Sequence, residues 1–174
     1  MATSPVSLVD AEFVRGFVAR WVEAWNARDA DRLLALCTPD VEWEDPAFPE
    51  PARGGDAVRQ YLAETWQIFP DLSFSVPEPP LLATEGGQAA QVWRLTGTFL
   101  GPSPPGFAPT GKRVDQLGVD LYEFRDGLLA RYRTLYDVAE TARQMGLTPA
   151  RGSRAERAAA FLQRTSMRLR RRKR

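Results

Sequence analysis

Lys112-Arg-Val-Asp-Gln-Leu-Gly-Val-Asp-Leu-Tyr-Glu-Phe-Arg125, then Asp126-Gly127, then Leu128-Leu-Ala-Arg-Tyr-Arg-Thr-Leu-Tyr136: this stretch reads as a β-hairpin. Both arms are rich in β-branched and aromatic residues, and Asp-Gly is a favoured two-residue hairpin turn. Side chains alternate across a strand, so Gln116, Gly118, Asp120 and Tyr122 share one face of the first arm. Tyr132, Thr134 and Tyr136 share one face of the second. The arms are neighbours, so with these phases the two sets can adjoin. One acid, Asp120, therefore stands among tyrosines. The alternation does not say whether that face is buried.

Working outward, residues 88–99 form another long strand after the turn signal Glu85-Gly86-Gly87. Shorter strand-like runs at 72–76 and 81–84 are separated by Pro77, Pro79 and Pro80. Residues 101–111 hold four prolines and three glycines, which makes them a loop: a plain connection, or a lid over a binding site. A short helix spans 138–145 and stops at Gly146. The N-terminal third is helical instead. Residues 8–27 place Phe13, Phe17, Trp21, Val22 and Trp25 on one face. Asp29 caps a second helix over 30–37, which places Cys37 inside it. Residues 57–69 form a third, ending before Pro70. Between the second and third, residues 41–45 alternate, with Val41, Trp43 and Asp45 on one face. Helices first and hairpin-linked strands afterwards predict an α+β domain over residues 1–149. Its curved antiparallel sheet wraps the N-terminal helices and leaves a conical cavity between the layers.

The formal charge of +1 conceals two unlike parts. Residues 1–150 carry 13 basic and 21 acidic side chains, a net of −8. Residues 151–174 carry ten basic side chains and one acid, Glu156, a net of +9. Residues 150–174 are read as a basic amphipathic C-terminal tail whose helix spans 153–169. Ala158, Phe161, Leu162, Thr165 and Leu169 form its apolar stripe. It is expected to dock on the acidic body or on a dimer partner, with residues 170–174 frayed. The alternative is contact with an anionic surface.

No apolar run reaches membrane-spanning length, and residues 1–7 lack a signal-peptide pattern. Cys37 is the only cysteine, which points to a reducing compartment, the cytoplasm. Histidine is absent, which excludes Ser-His-Asp triads, Cys-His dyads and most zinc sites. Proton transfer is left to carboxylates, Tyr, Lys, Arg or water. No metal or cofactor is expected.

A set of short motifs carries a family resemblance over roughly residues 10–149. They are Trp25-Asn26 with Asp29, Trp43-Glu-Asp45-Pro46, Phe69-Pro70-Asp71-Leu72, Gly97-Thr98, Pro109-Thr-Gly-Lys112, Gly118-Val-Asp120, Asp126-Gly127, Tyr136-Asp137 and Gln144-Met-Gly146. In this order they resemble the nuclear transport factor 2-like fold, and within it the SnoaL-like polyketide cyclases. Glu44-Asp45-Pro46 also resembles the segment that supplies the general base in bacterial ketosteroid isomerases. Asp120 falls where those enzymes keep a protonated aspartic acid. Trp21 stands where they carry an oxyanion-hole tyrosine, and Thr134 where SnoaL-like cyclases place an acid/base aspartate.

The resemblance implies Asp45 and Asp120 as catalytic residues, with Trp21, Leu62, Gln116, Tyr132, Thr134 and Tyr136 contacting substrate. It implies a cofactor-free isomerase or cyclase acting on a hydrophobic, carbonyl-bearing molecule of polyketide or steroid type. The alternative is a protein of the same fold that binds an apolar ligand without chemistry. For Asp45 the plain structural role is a turn acid accepting a backbone N–H before Pro46. For Asp120 it is a solvent-facing strand acid. A homodimer is expected, and no nucleic-acid partner.

Overall fold

The computed structural model describes residues 9–83 and 86–172, without side-chain detail beyond 168. Residues 1–8, where the absence of a signal peptide was read, lie outside it, as do Thr84, Glu85 and residues 173–174.

Helix α1 (Ala11–Ala27) begins at Asp10, whose carboxylate accepts the Phe13 N–H and so satisfies one of the unpaired amides of the first turn. It buries Val14, Phe17, Val18, Trp21, Ala24 and Trp25, the stripe expected from their spacing. Asp29 caps α2 (Ala30–Leu34) by accepting from the Arg32 N–H. This helix is shorter than expected, and Cys37 opens strand β1 (Cys37–Glu44) instead of closing α2. Sheet pairing captures the chain there, since the Leu36 carbonyl accepts the Leu129 N–H. Burial pushes the Cys37 thiol up to about 12, so it stays a protonated packing group.

Strand β2 (Ala52–Arg53) runs antiparallel to β1. Gly54, at φ +76°, turns the chain directly from β2 into α3 (Gly54–Ile68), which therefore starts three residues earlier than expected. Strands β3 (Ser73–Ser75) and β4 (Leu81–Leu82) are short. The long strands are β5 (Gln88–Thr98), β6 (Arg113–Arg125) and β7 (Leu128–Tyr136). Asp126 and Gly127 both adopt positive φ, +52° and +77°, the backbone a two-residue hairpin turn requires. Asp137 caps α4 (Val138–Gln144), which ends before Gly146 at φ +77°.

The sheet runs β2-β1-β7-β6-β5-β3, with β4 pairing the far part of β5. It is open, curved and mostly antiparallel. The exception is β1, which lies parallel to β7. A parallel pair needs a long connection, and nearly the whole domain supplies it here.

The hairpin register places Gly118 opposite Tyr136, Asp120 opposite Thr134 and Tyr122 opposite Tyr132. This is the face turned toward the helices. Trp21 sits at the centre of the core, stacked on Phe17 and Trp43 at 5.4 and 5.3 Å between rings. Gly118 is required by its neighbour: a Cβ there would lie 2.2 Å from Cζ2 of Trp93. The indole thus lies against bare backbone.

Helix α5 (Arg154–Arg172) does not dock on the body as expected. Its side chains over 154–168 are exposed, with Phe161 at 61% and Leu162 at 66%. The fraying expected from residue 170 is not seen over 170–172, which are helical. No helix among the described residues is long and apolar enough to cross a membrane.

Candidate functional site

A cavity of about 300 Å³ opens between the inner face of the sheet and the helices. Trp93, Gln116, Tyr132, Thr134 and Tyr136 come from the sheet, and Trp25, Tyr61 and Thr65 from α1 and α3. Val138 and Ala142 of α4 form another wall with Met145, its C-terminal cap. The loop of residues 101–111 reaches the cavity through Ser103, Pro104 and Phe107. Its ends are pinned: Gly101 N–H donates to the Ile68 carbonyl at 3.1 Å, and Thr110 Oγ1 donates to the Met145 carbonyl at 2.6 Å. The cavity is thus mainly apolar, with a few placed polar groups, as small-molecule sites usually are.

Asp45 is one of those polar groups. It follows the last residue of β1 and lines the cavity. Its Oδ2 accepts the Tyr61 hydroxyl at 2.6 Å, and its Oδ1 accepts the Tyr136 hydroxyl at 2.8 Å. Oδ1 also accepts the Ala47 N–H at 2.8 Å, so the turn role and the cavity position coexist. Burial, then the charge of Asp45, raises both tyrosines above the ordinary phenol range. They therefore remain donors.

Asp120 is fully buried and does not itself line the cavity. It is not the solvent-facing acid of the plain reading. Its Oδ1 accepts the Tyr132 hydroxyl at 2.8 Å and its Oδ2 the Tyr122 hydroxyl at 3.1 Å. Burial pushes this carboxyl up to about 7, against the opposing pull of the hydrogen bonds from Tyr132 and its neighbours. Thr134 Oγ1 and Trp93 Nε1 also face it, but neither completes a hydrogen bond of good geometry. The chain has four tyrosines, and all four hydroxyls are committed to these two aspartates.

Gln116, Tyr132, Thr134 and Tyr136 line the cavity together with Asp45. Trp21 and Leu62 do not, which corrects the expectation for both. Trp21 points into the core stack one turn too early, and Trp25, four residues on, reaches the cavity instead. On α3 the cavity side carries Tyr61, Thr65 and Ile68, while Leu62 turns into the core. Tyr61 and Trp93 had not been singled out as site residues. Their spacing marks them as buried, but only the assembled fold shows what they meet. The apolar spacing of Val138, Ala142 and Met145 was a readable signal for the α4 wall.

The described residues hold no cluster of His, Cys, Asp and Glu able to bind a metal ion.

A curved, mostly antiparallel sheet closed by helices over an apolar cavity, with one carboxylate on its wall, is a nuclear transport factor 2-like fold. Residues 18–132 match the SnoaL-like domain, and the chain belongs to that family. TsrD from Streptomyces laurentii is similar in structure, with a TM-score of 0.67 and 24% identity over 80% of this chain and 98% of that one. A candidate SnoaL-like polyketide cyclase from Jannaschia sp. CCS1 gives 0.67 and 23% over 86% and 99%. AclR, a candidate hydroxylase from Streptomyces galilaeus, gives 0.67 and 23% over 91% and 96%. At these identities the likeness concerns the fold.

Proposed function

We propose that the chain is a cofactor-free isomerase- or cyclase-type enzyme acting on a hydrophobic, carbonyl-bearing small molecule of polyketide or steroid type. The observation that carries this reading is Asp45, a carboxylate on the wall of an apolar cavity, fixed by the hydroxyls of Tyr61 and Tyr136. Family membership and the candidate cyclases of similar fold support it.

In this reading Asp45 takes a proton from the carbon next to a substrate carbonyl. The electron pair of the broken C–H bond becomes an enolate, whose oxygen needs a hydrogen-bond donor. In this reading Tyr132 is that donor: the residue belongs to the cavity wall and its hydroxyl is backed by Asp120. With a carboxyl pushed up to about 7, Asp120 holds a proton in much of the population at neutral pH. A protonated Asp120 donates to the Tyr132 oxygen and frees the phenol hydrogen for the substrate. Asp45 then returns its proton to another carbon, which is isomerisation. In a cyclisation the enolate carbon instead bonds to a second carbonyl carbon, and the new alkoxide takes the proton.

Trp25 Nε1, on a cavity-wall residue, is a buried donor with no partner among the described residues. It fits a ligand carrying an acceptor oxygen. A second reading is a non-catalytic binder. It is favoured by Asp45 already accepting three hydrogen bonds. Asp45→Asn separates the two: an enzyme loses turnover but still binds, whereas a binder has no turnover to lose.

The reading includes a homodimer. Leu117 and Leu135 are 61% and 49% exposed on the outer face of the sheet, with Val119 paired opposite Leu135. Such a strip is a self-complementary surface for a second copy.

A further inference from the structure

We propose that α5 is an anionic-membrane-binding helix that lies on the lipid surface and does not cross it. Its apolar stripe of Ala158, Phe161, Leu162 and Thr165 lies exposed. Arg157, Arg164 and Arg168 follow one another at steps of seven and four residues. At 100° per residue these steps form a single ridge beside the apolar stripe. An apolar stripe flanked by arginines matches the boundary between acyl chains and headgroups.

Charge selects the occupant. Residues 151–174 carry a net +9, from ten basic residues and one acid. Arg151, just before the helix, pairs with Asp137 and Glu140 of the body, but Arg154, Arg157, Arg164 and Arg168 of α5 form no ion pair with it among the described residues. An anionic bilayer offers both a matching charge and an apolar phase. A nucleic acid offers charge alone, and Phe161 is the single aromatic residue among these arginines, short of the row of rings that a base-stacking surface needs. Docking would also bring the body to the phase where an apolar ligand concentrates. That benefit rests on the functional reading above, but the lipid contact does not.

The test uses the full chain in a flotation assay. Vesicles of phosphatidylcholine mixed with phosphatidylglycerol are compared with phosphatidylcholine alone, at low and high salt. Selective, salt-sensitive binding to the anionic vesicles is expected. The pair Phe161→Gln and Leu162→Gln should weaken it by about a hundredfold or more, the cost of withdrawing both side chains from an apolar phase. Arg157→Gln and Arg164→Gln should each weaken it about fivefold. Since α5 is exposed, the far-ultraviolet circular dichroism and melting of the body should not change. Equal binding to both vesicle types overturns the proposal, as does wild-type binding by the double Gln variant. Binding of duplex DNA without vesicle binding overturns it in favour of a nucleic-acid surface. Loss of self-association in the double Gln variant, without vesicle binding, overturns it in favour of contact between copies.

Discussion

Tyr132 donates its hydroxyl to the fully buried Asp120 at 2.8 Å, while its ring forms part of the cavity wall. A group sealed from solvent is thereby coupled to whatever occupies the cavity. Tyr132→Phe should leave Asp120 with Tyr122 as its remaining hydroxyl donor. Losing a hydrogen bond to a buried polar group costs about 1–3 kcal/mol. Thermal melting should show that loss, and turnover should fall by about ten- to a hundredfold, short of abolition.

Asp45→Asn should lower turnover by about a hundredfold or more, the range assigned to a positioned general base. Affinity for an apolar carbonyl ligand, such as a steroid enone, should stay within a few-fold. Trp25 and Trp93 lie on the cavity wall, so quenching of tryptophan fluorescence can report binding independently of turnover. Unchanged turnover would remove Asp45 from the chemistry.

Asp120 sets a pH dependence opposite to that of the paired surface acids. Its carboxyl is raised to about 7 in the folded chain and returns to about 4 on unfolding. The folded state therefore binds this proton more tightly. Its contribution to stability is complete below about pH 4, is lost as pH rises toward 7, and stays lost above. The whole change is on the order of a few kcal/mol. The carboxyls of Asp40, Asp71, Asp115 and Glu140 are lowered by their hydrogen-bond partners, so they act with the other sign at lower pH. The difference in melting between wild type and Asp120→Asn isolates the effect. That difference should vary between pH 4 and 7 and be flat above; a flat difference throughout would show that Asp120 does not titrate there.

Gly118→Ala should displace Trp93, because the added Cβ meets its indole at 2.2 Å. Overpacking of this kind costs about 1–3 kcal/mol. The melting temperature should fall by several degrees, and the fluorescence of the cavity tryptophans should change with it. An unperturbed variant would mean that the indole has room to slide.

Leu117→Glu on the outer face of the sheet should break a sheet-mediated dimer without unfolding the protomer, because the side chain is 61% exposed. Sedimentation equilibrium should then report a monomer where the wild type is dimeric. A wild type that is itself monomeric removes this interface.

The hairpin was legible because its signals are local. Alternation fixed which residues share a face of each arm, but a bulge at Glu123 and Phe124, which the Asp126-Gly127 turn does not specify, sets Asp120 opposite Thr134 and Tyr122 opposite Tyr132. The helices were legible from apolar spacing. Their ends were less so at Cys37 and Gly54, where sheet pairing and a positive-φ glycine moved the boundary. The site was legible only in part. A helical stripe shows which side chains are buried but not which end of the stripe meets a cavity, so Trp21 was expected where Trp25 stands.

The sequence by itself determined the order of elements, which residues share a face of each hairpin arm, the absence of histidine chemistry and the split between an acidic body and a basic segment. These follow from period, turn chemistry and composition, which act between near neighbours. Only the tertiary structure decided that Asp45 meets Tyr61 and Tyr136, that Asp120 is sealed behind Tyr132, and that α5 leaves its apolar stripe exposed. Asp45 and Tyr136 are 91 positions apart in the chain. They meet because β1 adds to β7 in parallel, a long-range pairing that no local pattern specifies.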